Sequence, residues 1–198
     1  MEPEKIYLSS QQLRDDSYRL ADQIIRDNFH PAFLVALWRG GTPVGIAVQE
    51  YLHYFGFQTD HISIRTSSYG DETVSREVRV HGLDYLIERV LPQTPLLVVD
   101  DVLDTGNSGK AVIDCIREKA RFNTPTDIRF ATIYYKPEKN QTDLKPHYCI
   151  HELAGNPWLV FPHELTGLTA QEIVAAKGAE VSQLMGATQR FLDSRKKF

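Results

Sequence analysis

Three continuous apolar runs constrain the fold of this chain more than any other feature. FLVAL (33–37), LLVVD (96–100) and IRFATIYY (128–135) are each too short for a buried helix and lack the polar interruptions of a surface strand. Such runs fit strands covered on both faces, as in a parallel sheet. Helical patterns separate them: Val44 to Phe55, closed by Gly56, after the first run, and Ser108 to Ala120 after the second. Strands alternating with helices of this length predict βαβ units with right-handed crossovers. The fold class is therefore α/β, an open, mainly parallel twisted sheet flanked by helices.

The remaining segments fill in around that frame. Ser9 with Gln12, or Ser10, caps a helix whose Leu13, Leu20, Ile24 and Ile25 share one face through about Asn28. HISIR (61–65) and VRV (78–80) alternate as strands, and the polar stretch TSSYGDETVSRE between them reads as the long connection of an antiparallel pair. Leu83 to Val90 is a short helix candidate. After Lys136 come a polar connection, a short strand candidate YCIHEL, and the aromatic, Pro-bounded NPWLVFP. Thr169 and Glu172 form a capping box for a C-terminal helix carrying Ile173, Val174, Val181, Leu184 and Met185.

At 198 residues the chain is long enough for one well-buried core and too short for two of ordinary size. A net charge of −4 and a pI near 6.0 argue against a protein that coats nucleic acid or an anionic membrane. No apolar run approaches a membrane span, and MEPEKIYLSSQQLRDD lacks the features of a signal peptide, so a cytoplasmic protein without membrane or nucleic-acid partners is expected. With Cys115 and Cys149 as the two cysteines, no disulfide framework is implied.

The stretch LLVVDDVLDTGNSGKA (96–111) carries the chemistry. A strand that feeds a Gly-containing loop opening a helix is an anion site, because unpaired backbone N–H groups and the positive helix end point at the ligand. A Walker A loop would need Gly at Asp104 and a hydroxyl at Ala111, and no GxGxxG is present. Asp100 and Asp101 would repel an anion unless they face sugar hydroxyls or a metal carried by the ligand. A sugar phosphate satisfies both halves of the loop.

VVDDVLDTGNSG resembles the phosphoribosyl pyrophosphate (PRPP) signature of the type I phosphoribosyltransferases. The resemblance runs over most of residues 5–165. It implies one phosphoribosyltransferase domain over 1–198, with a core at about 30–140, a small hood holding the base-binding segment at about 145–165, and a C-terminal helix at about 169–195. An antiparallel flexible-loop hairpin belongs to the same pattern. PRPP binding then falls to Arg39, Gly40 and Gly41 after the first strand, to Asp100, Asp101 and Asp104, and to Thr105, Gly106, Asn107 and Ser108. Ser68 and Tyr69 resemble the Ser-Tyr of a loop that closes over the site, and Mg2+ accompanies the diphosphate.

Further matches point to the hypoxanthine, guanine and xanthine branch. Asp104 takes the place of an acid/base near N7 of a purine, a proton the base must shed as its imidazole ring joins ribose. Lys136 takes the place of a lysine that reaches the 6-oxo group, where a donor favours an oxygen over the amino group of adenine. Trp158 and Leu159 in NPWLVFPHEL resemble a stacking residue and a backbone contact for the base, and Glu164 an acidic ligand of a second magnesium. The implied reaction transfers the phosphoribosyl group of PRPP to a free 6-oxopurine in purine salvage. A PRPP-binding regulator of the same fold, or an enzyme for adenine, orotate or uracil, is the alternative. A homodimer or higher homo-oligomer is expected from the family. His147, Cys149 and His151 alternate as zinc ligands could, but no fourth ligand at typical spacing is visible, so edge-strand residues with ordinary partners are expected.

Overall fold

In the computed structural model, which describes residues 4–69 and 77–195, the apolar runs form the centre of one sheet. The chain divides into two compact units, one of residues Gln12–Asn156 and one that joins the residues up to Gln11 with those from Pro157 onward.

The larger unit is built on strands β2 (Phe33–Trp38), β3 (Asp60–Tyr69), β4 (Glu77–His81), β5 (Leu96–Leu103), β6 (Ile128–Tyr135) and β7 (Tyr148–Glu152). Their order is β4-β3-β2-β5-β6-β7, parallel throughout except for the antiparallel β3–β4 pair. Residues 33–37 of β2 and the first four residues of β5 are buried on both faces, as their uninterrupted apolar sequence predicts. On one face Val35, Val98 and Phe130 pack with Leu83 and Leu86 near helix α3 (Asp84–Ile87) and with Val112 and Ile116 of α4 (Asn107–Ala120). On the other, α2 (Gly41–Tyr54) lies so close that a Cβ on its Gly45 would meet the Ala36 Cβ at 2.8 Å. Helix α1 (Ser10–Arg26) buries Leu13, Leu20 and Ile24, which repeat at helical spacing. Each such side chain, fully buried, contributes about 1.5–3 kcal/mol.

The structure shifts several boundaries. β5 continues to Leu103, because Asp100, Val102 and Leu103 pair with Thr132, Tyr134 and Tyr135 of β6. Asp100 and Asp101 therefore sit on the strand, and the loop starts after them. β3 likewise runs to Tyr69, so Ser68 and Tyr69 lie in the ladder opposite Val78 and Glu77, and only residues 70–76 of the connection lie outside the described residues. Helix α2 begins at Gly41, earlier than its apolar pattern, since Pro43 is tolerated in a first turn whose N–H groups have no partner. Leu83 to Val90 contains one turn of helix only.

The smaller unit holds a two-stranded parallel pair of β1 (Lys5–Tyr7) and β8 (Trp158–Val160), joined by Trp158 N–H donating to the Glu4 carbonyl at 2.7 Å. The capping box of Thr169 and Glu172 forms as expected. The single C-terminal helix expected from the sequence is instead two, α5 (Ala170–Lys177) and α6 (Ala179–Arg195). Gly178 separates them at φ +93°, a left-handed backbone that ends α5. α5 buries Ile173, whereas α6 buries no side chain.

Candidate functional site

Ligands of open α/β sheets bind beyond the carboxyl ends of the strands. Here the two central strands, β2 and β5, end in the two unusual loops. After Trp38 comes a cis peptide to Arg39, then Gly40 and Gly41 leading into α2. These glycines are required by contact, not by turn geometry. A Cβ on Gly40 would lie 1.8 Å from Asp101 Oδ2, and one on Gly41 would lie 2.5 Å from the Val99 carbonyl oxygen. The first loop is thus packed directly against the acidic end of β5, with Arg39 exposed beside it.

Asp101 is 9% exposed, and its Oδ1 accepts from Val102 N–H at 2.9 Å, while Asp100 Oδ1 accepts from Asp101 N–H at 3.0 Å. Removal from water, followed by the Asp101 carboxylate beside it, pushes the Asp100 carboxyl well above its ordinary value. This pair favours a partner that brings hydroxyl donors or positive charge to it.

The loop beyond β5 opens α4. Its N-cap is Gly106, at φ +79°, and no side chain caps the helix. Beyond Asn107, the N–H groups of Ser108 and Gly109 in the first turn are therefore open to an acceptor from outside. Thr105 Oγ1 accepts from Asn107 N–H at 3.4 Å, and Gln141 N–H donates to the Thr105 carbonyl at 2.9 Å. A Cβ on Gly106 would strike Thr142 Oγ1 at 2.3 Å, so the segment after β6 closes down on this turn. Ser108 lies in the first turn of α4, half-buried.

Asp104 stands between the acidic pair and the helix end. Its Oδ2 accepts from Lys139 Nζ at 2.8 Å and has Lys136 Nζ at 3.8 Å. Among the described residues its Oδ1 is a buried oxygen with no hydrogen-bond partner. Such an atom in a folded protein calls for an explanation, and a ligand N–H is one. Lys136 is 5% exposed; its backbone N–H donates to the Leu103 carbonyl and its Nζ to Asn156 Oδ1 at 3.2 Å. Burial pulls its amine below the ordinary lysine value, against the attraction of Asp104 and with the repulsion of Lys139.

Arg39, Gly40, Gly41, Asp100, Asp101, Asp104, Thr105 to Ser108 and Lys136 all belong to the larger unit, and its strand ends bring them onto two neighbouring loops and the start of a third. The side chains of Ser68 and Tyr69 lie outside the described residues. Trp158, Leu159 and Glu164 belong to the smaller unit. There Lys5 Nζ lies 4.7 Å from the centroid of the Trp158 ring, and Gly167 leaves room for the ring edge. Leu159 is buried in the ladder opposite Ile6, and Glu164 Oε2 accepts from Phe161 N–H at 3.2 Å. His147 Nδ1 accepts from Phe130 N–H at 3.1 Å, and His151 Nε2 meets Asp16 Oδ2 at 2.8 Å, so each has its own partner. Burial raises the Cys149 thiol to about 11.

Lys139 and Asn156 are the residues of this cluster that the sequence does not announce. The signal for Lys139 is the turn KPEK: Lys139 N–H and Asn140 N–H both donate to the Lys136 carbonyl, which brings the second lysine back over Asp104. Chemically, the cluster offers acceptors for hydroxyls, open N–H groups for an anion, a carboxylate oxygen for a ring N–H and a buried ammonium for a carbonyl.

Comparison with known proteins gives the following. Residues 4–166 match the family described as Phosphoribosyl transferase domain. Over 159 residues the chain is 27% identical to a xanthine-guanine phosphoribosyltransferase of Chromohalobacter salexigens, covering 80% of this chain and 83% of that one. Its fold is similar to a purine phosphoribosyltransferase from Pyrococcus horikoshii, with 24% identity, a TM-score of 0.61, and 84% and 97% of the two chains covered. It is also similar to a hypothetical protein of Neisseria gonorrhoeae solved with bound ppGpp, with 18% identity, a TM-score of 0.68, and 84% and 93% covered. Among the described residues, no helix is long and apolar enough to cross a membrane.

Proposed function

The chain belongs to the phosphoribosyl transferase domain family, and we propose that its reaction is the transfer of the 5-phosphoribosyl group from PRPP to a 6-oxopurine, giving a nucleoside monophosphate and pyrophosphate. The observation that carries the choice of base is the Asp104–Lys136 pair: a buried carboxylate oxygen without a partner, with a buried ammonium 3.8 Å from its sister oxygen. A 6-oxopurine offers an N–H on its imidazole ring and a carbonyl oxygen nearby, the complement of that pair. Adenine would turn an amino donor toward a donor.

The roles of the other residues follow from what they can bind. Asp100 and Asp101 accept from the ribose hydroxyls, which offsets part of the burial and mutual repulsion of the two carboxyl groups. Thr105, Gly106, Asn107 and Ser108 receive the 5-phosphate on open N–H groups at the start of α4. Arg39, Gly40 and Gly41 face the diphosphate, and Ser68 and Tyr69 are assigned to the closing segment. The all-oxygen donors Asp100 and Asp101 fit a hard cation delivered with the substrate, so Mg2+ is the proposed companion and supplies charge neutralisation for the leaving diphosphate. Glu164 is the proposed acidic ligand for a second ion. Asp104 takes the proton that the purine loses as the new bond to ribose forms, and Lys136 orients the base through its carbonyl. Trp158 is assigned to base stacking and Leu159 to a backbone contact with the base edge. Trp158→Ala is expected to weaken base binding by about 1–3 kcal/mol with PRPP binding intact; unchanged base affinity rejects the stacking role. The resulting activity is that of purine salvage in the cytoplasm.

The test is pyrophosphate release with PRPP and Mg2+, offering hypoxanthine, guanine, xanthine, adenine, orotate and uracil separately. Turnover with one or more 6-oxopurines supports the assignment. Turnover with adenine or orotate alone means that Lys136 is misassigned, and PRPP binding without turnover on any base replaces the enzyme with a PRPP-binding regulator.

A further inference from the structure

We propose that α6 pairs antiparallel with the α6 of a second copy of this chain. The helix lies beyond residue 166, where the family match ends, so the phosphoribosyltransferase reading does not account for it. It runs 17 residues and buries no side chain. Leu184, Met185, Phe191 and Leu192 are 66%, 37%, 57% and 47% exposed. Together with Val181 and Thr188 they recur three or four residues apart, so they form a single narrow stripe along one face. Helices of this length are marginal in water without a packed face. The stripe calls for an occupant.

Its pattern and charge identify a second α6. About a two-fold axis at Thr188, Leu184 meets Leu192 of the other copy and Met185 meets Phe191, so every large apolar residue finds an apolar partner. Val181 then stands opposite Arg195, whose stem already lies along Phe191, with the guanidinium carbon 5.0 Å from the ring centroid. Glu180, at the N-terminal end, comes beside the same arginine. A parallel pairing would instead set Glu180 beside Glu180 and Arg195 beside Arg195. Antiparallel packing also sets the helix dipoles head to tail. The polar face carries Asp193, which accepts from Gln189 at 2.9 Å, one turn from Arg190. It is not the uniformly basic face of a helix that lies on a membrane. One helix pair covers less than the roughly 1,200 Å² of a standard interface, so the association is concentration-dependent and adds one step to whatever other assembly the chain forms.

The full chain is tested by sedimentation velocity from about 1 to 100 µM, the range in which so small an interface is expected to form. The wild type gains one association step with concentration, and the double variant L184E/L192E loses that step while pyrophosphate release is unchanged. E180R and R195E each weaken the step several-fold, and the double swap restores it, an outcome that misfolding does not imitate. T188C, on the axis, gives a disulfide-linked dimer under mild oxidation, whereas Q183C, on the opposite face, does not. A wild type without the step, a profile indifferent to L184E/L192E, or equal cross-linking of T188C and Q183C overturns the proposal. So does binding of the wild type to anionic vesicles that L184E/L192E abolishes while self-association persists.

Discussion

The two ends of the six-stranded sheet carry charge in opposite ways. At the amino ends, Arg129 of β6 donates to Asp127 at 3.0 Å and to Asp27 and Tyr148, and its guanidinium lies 4.1 Å from the Phe29 ring centroid. Tyr148 OH also donates to Asp27 at 2.7 Å. The Tyr148 hydroxyl and then Arg129 hold Asp27 below the ordinary carboxylate value, and burial first, with Asp27 next, lifts Tyr148 to about 12. At the carboxyl ends, Asp100 is pushed up, Asp104 keeps an oxygen without a partner, and α4 starts without a side-chain cap. Polar groups that the protein itself satisfies stabilise it, and those it leaves unsatisfied are set for something else. The first end fixes the sheet, and the second awaits a ligand.

That contrast is broken or sharpened by four measurements. Asp104→Asn is expected to lower kcat by about 10²- to 10⁴-fold with PRPP affinity unchanged, read by steady-state kinetics and calorimetry. An undiminished kcat removes Asp104 from proton transfer. Gly40→Ala drives a methyl into Asp101 and is expected to cost at least about tenfold in PRPP affinity. Gly56→Ala, at φ +86° with nothing within 4 Å, carries only the left-handed strain of about 1–2 kcal/mol and leaves binding alone. Equal effects of the two would mean that the close approach of the loop after β2 to the end of β5 is irrelevant.

At the other end, Arg129→Ala is expected to lower unfolding free energy by about 1–2 kcal/mol, counting its packing and discounting its exposed ion pairs, with kcat/KM unchanged. A kinetic defect would contradict the division between the two ends. The smallest effect is in pH. Asp27 has a lowered folded pKa, so its stabilisation is present above the unfolded value of about 3.9 and is lost as pH falls below it. Asp100 has a raised folded pKa, so its contribution declines as pH rises from about 3.9 toward the folded value. Melting temperature against pH should therefore lose part of its acid limb in Asp27→Asn and part of its decline at higher pH in Asp100→Asn. Parallel curves for the two variants would show that the ends do not differ in this respect.

How much of this was legible in the sequence depends on which force positions each part. FLVAL, LLVV and IRFATIYY announce their strands because burial on both faces leaves only apolar residues there. The last three residues of β5 do not, since the adjacent aspartates, poor strand formers, interrupt the apolar run, and beyond Val99 the strand is held by its ladder to β6. Strand β1 escapes notice because KIY has no period to detect, and it exists through its pairing with Trp158, Leu159 and Val160. Lys177 followed by Gly178 carries the signal of a helix end, yet apolar spacing alone runs through it into α6. In the site, the residue types around Asp104 were readable from the loop motif. Lys139 was not, because a lysine in a polar connection looks solvated until a turn folds it back.

The fit of Gly40 against Asp101 also has a consequence for how this protein can vary. With 1.8 Å between a Cβ on Gly40 and the Asp101 carboxylate, the loop after β2 and the acidic end of β5 form one mutational unit. A side chain at position 40 is admissible only after the carboxylate at position 101 has shifted or shortened, and either change disturbs the group proposed to accept from the ribose. With the proposed role of Asp101, every single-step path away from Gly40 is expected to cross a variant impaired in substrate binding, and the order of substitutions, not their sum, decides which sequences are reachable. Drift at these two positions is locked together, whereas the paired charges at the far end of the sheet can be exchanged one at a time.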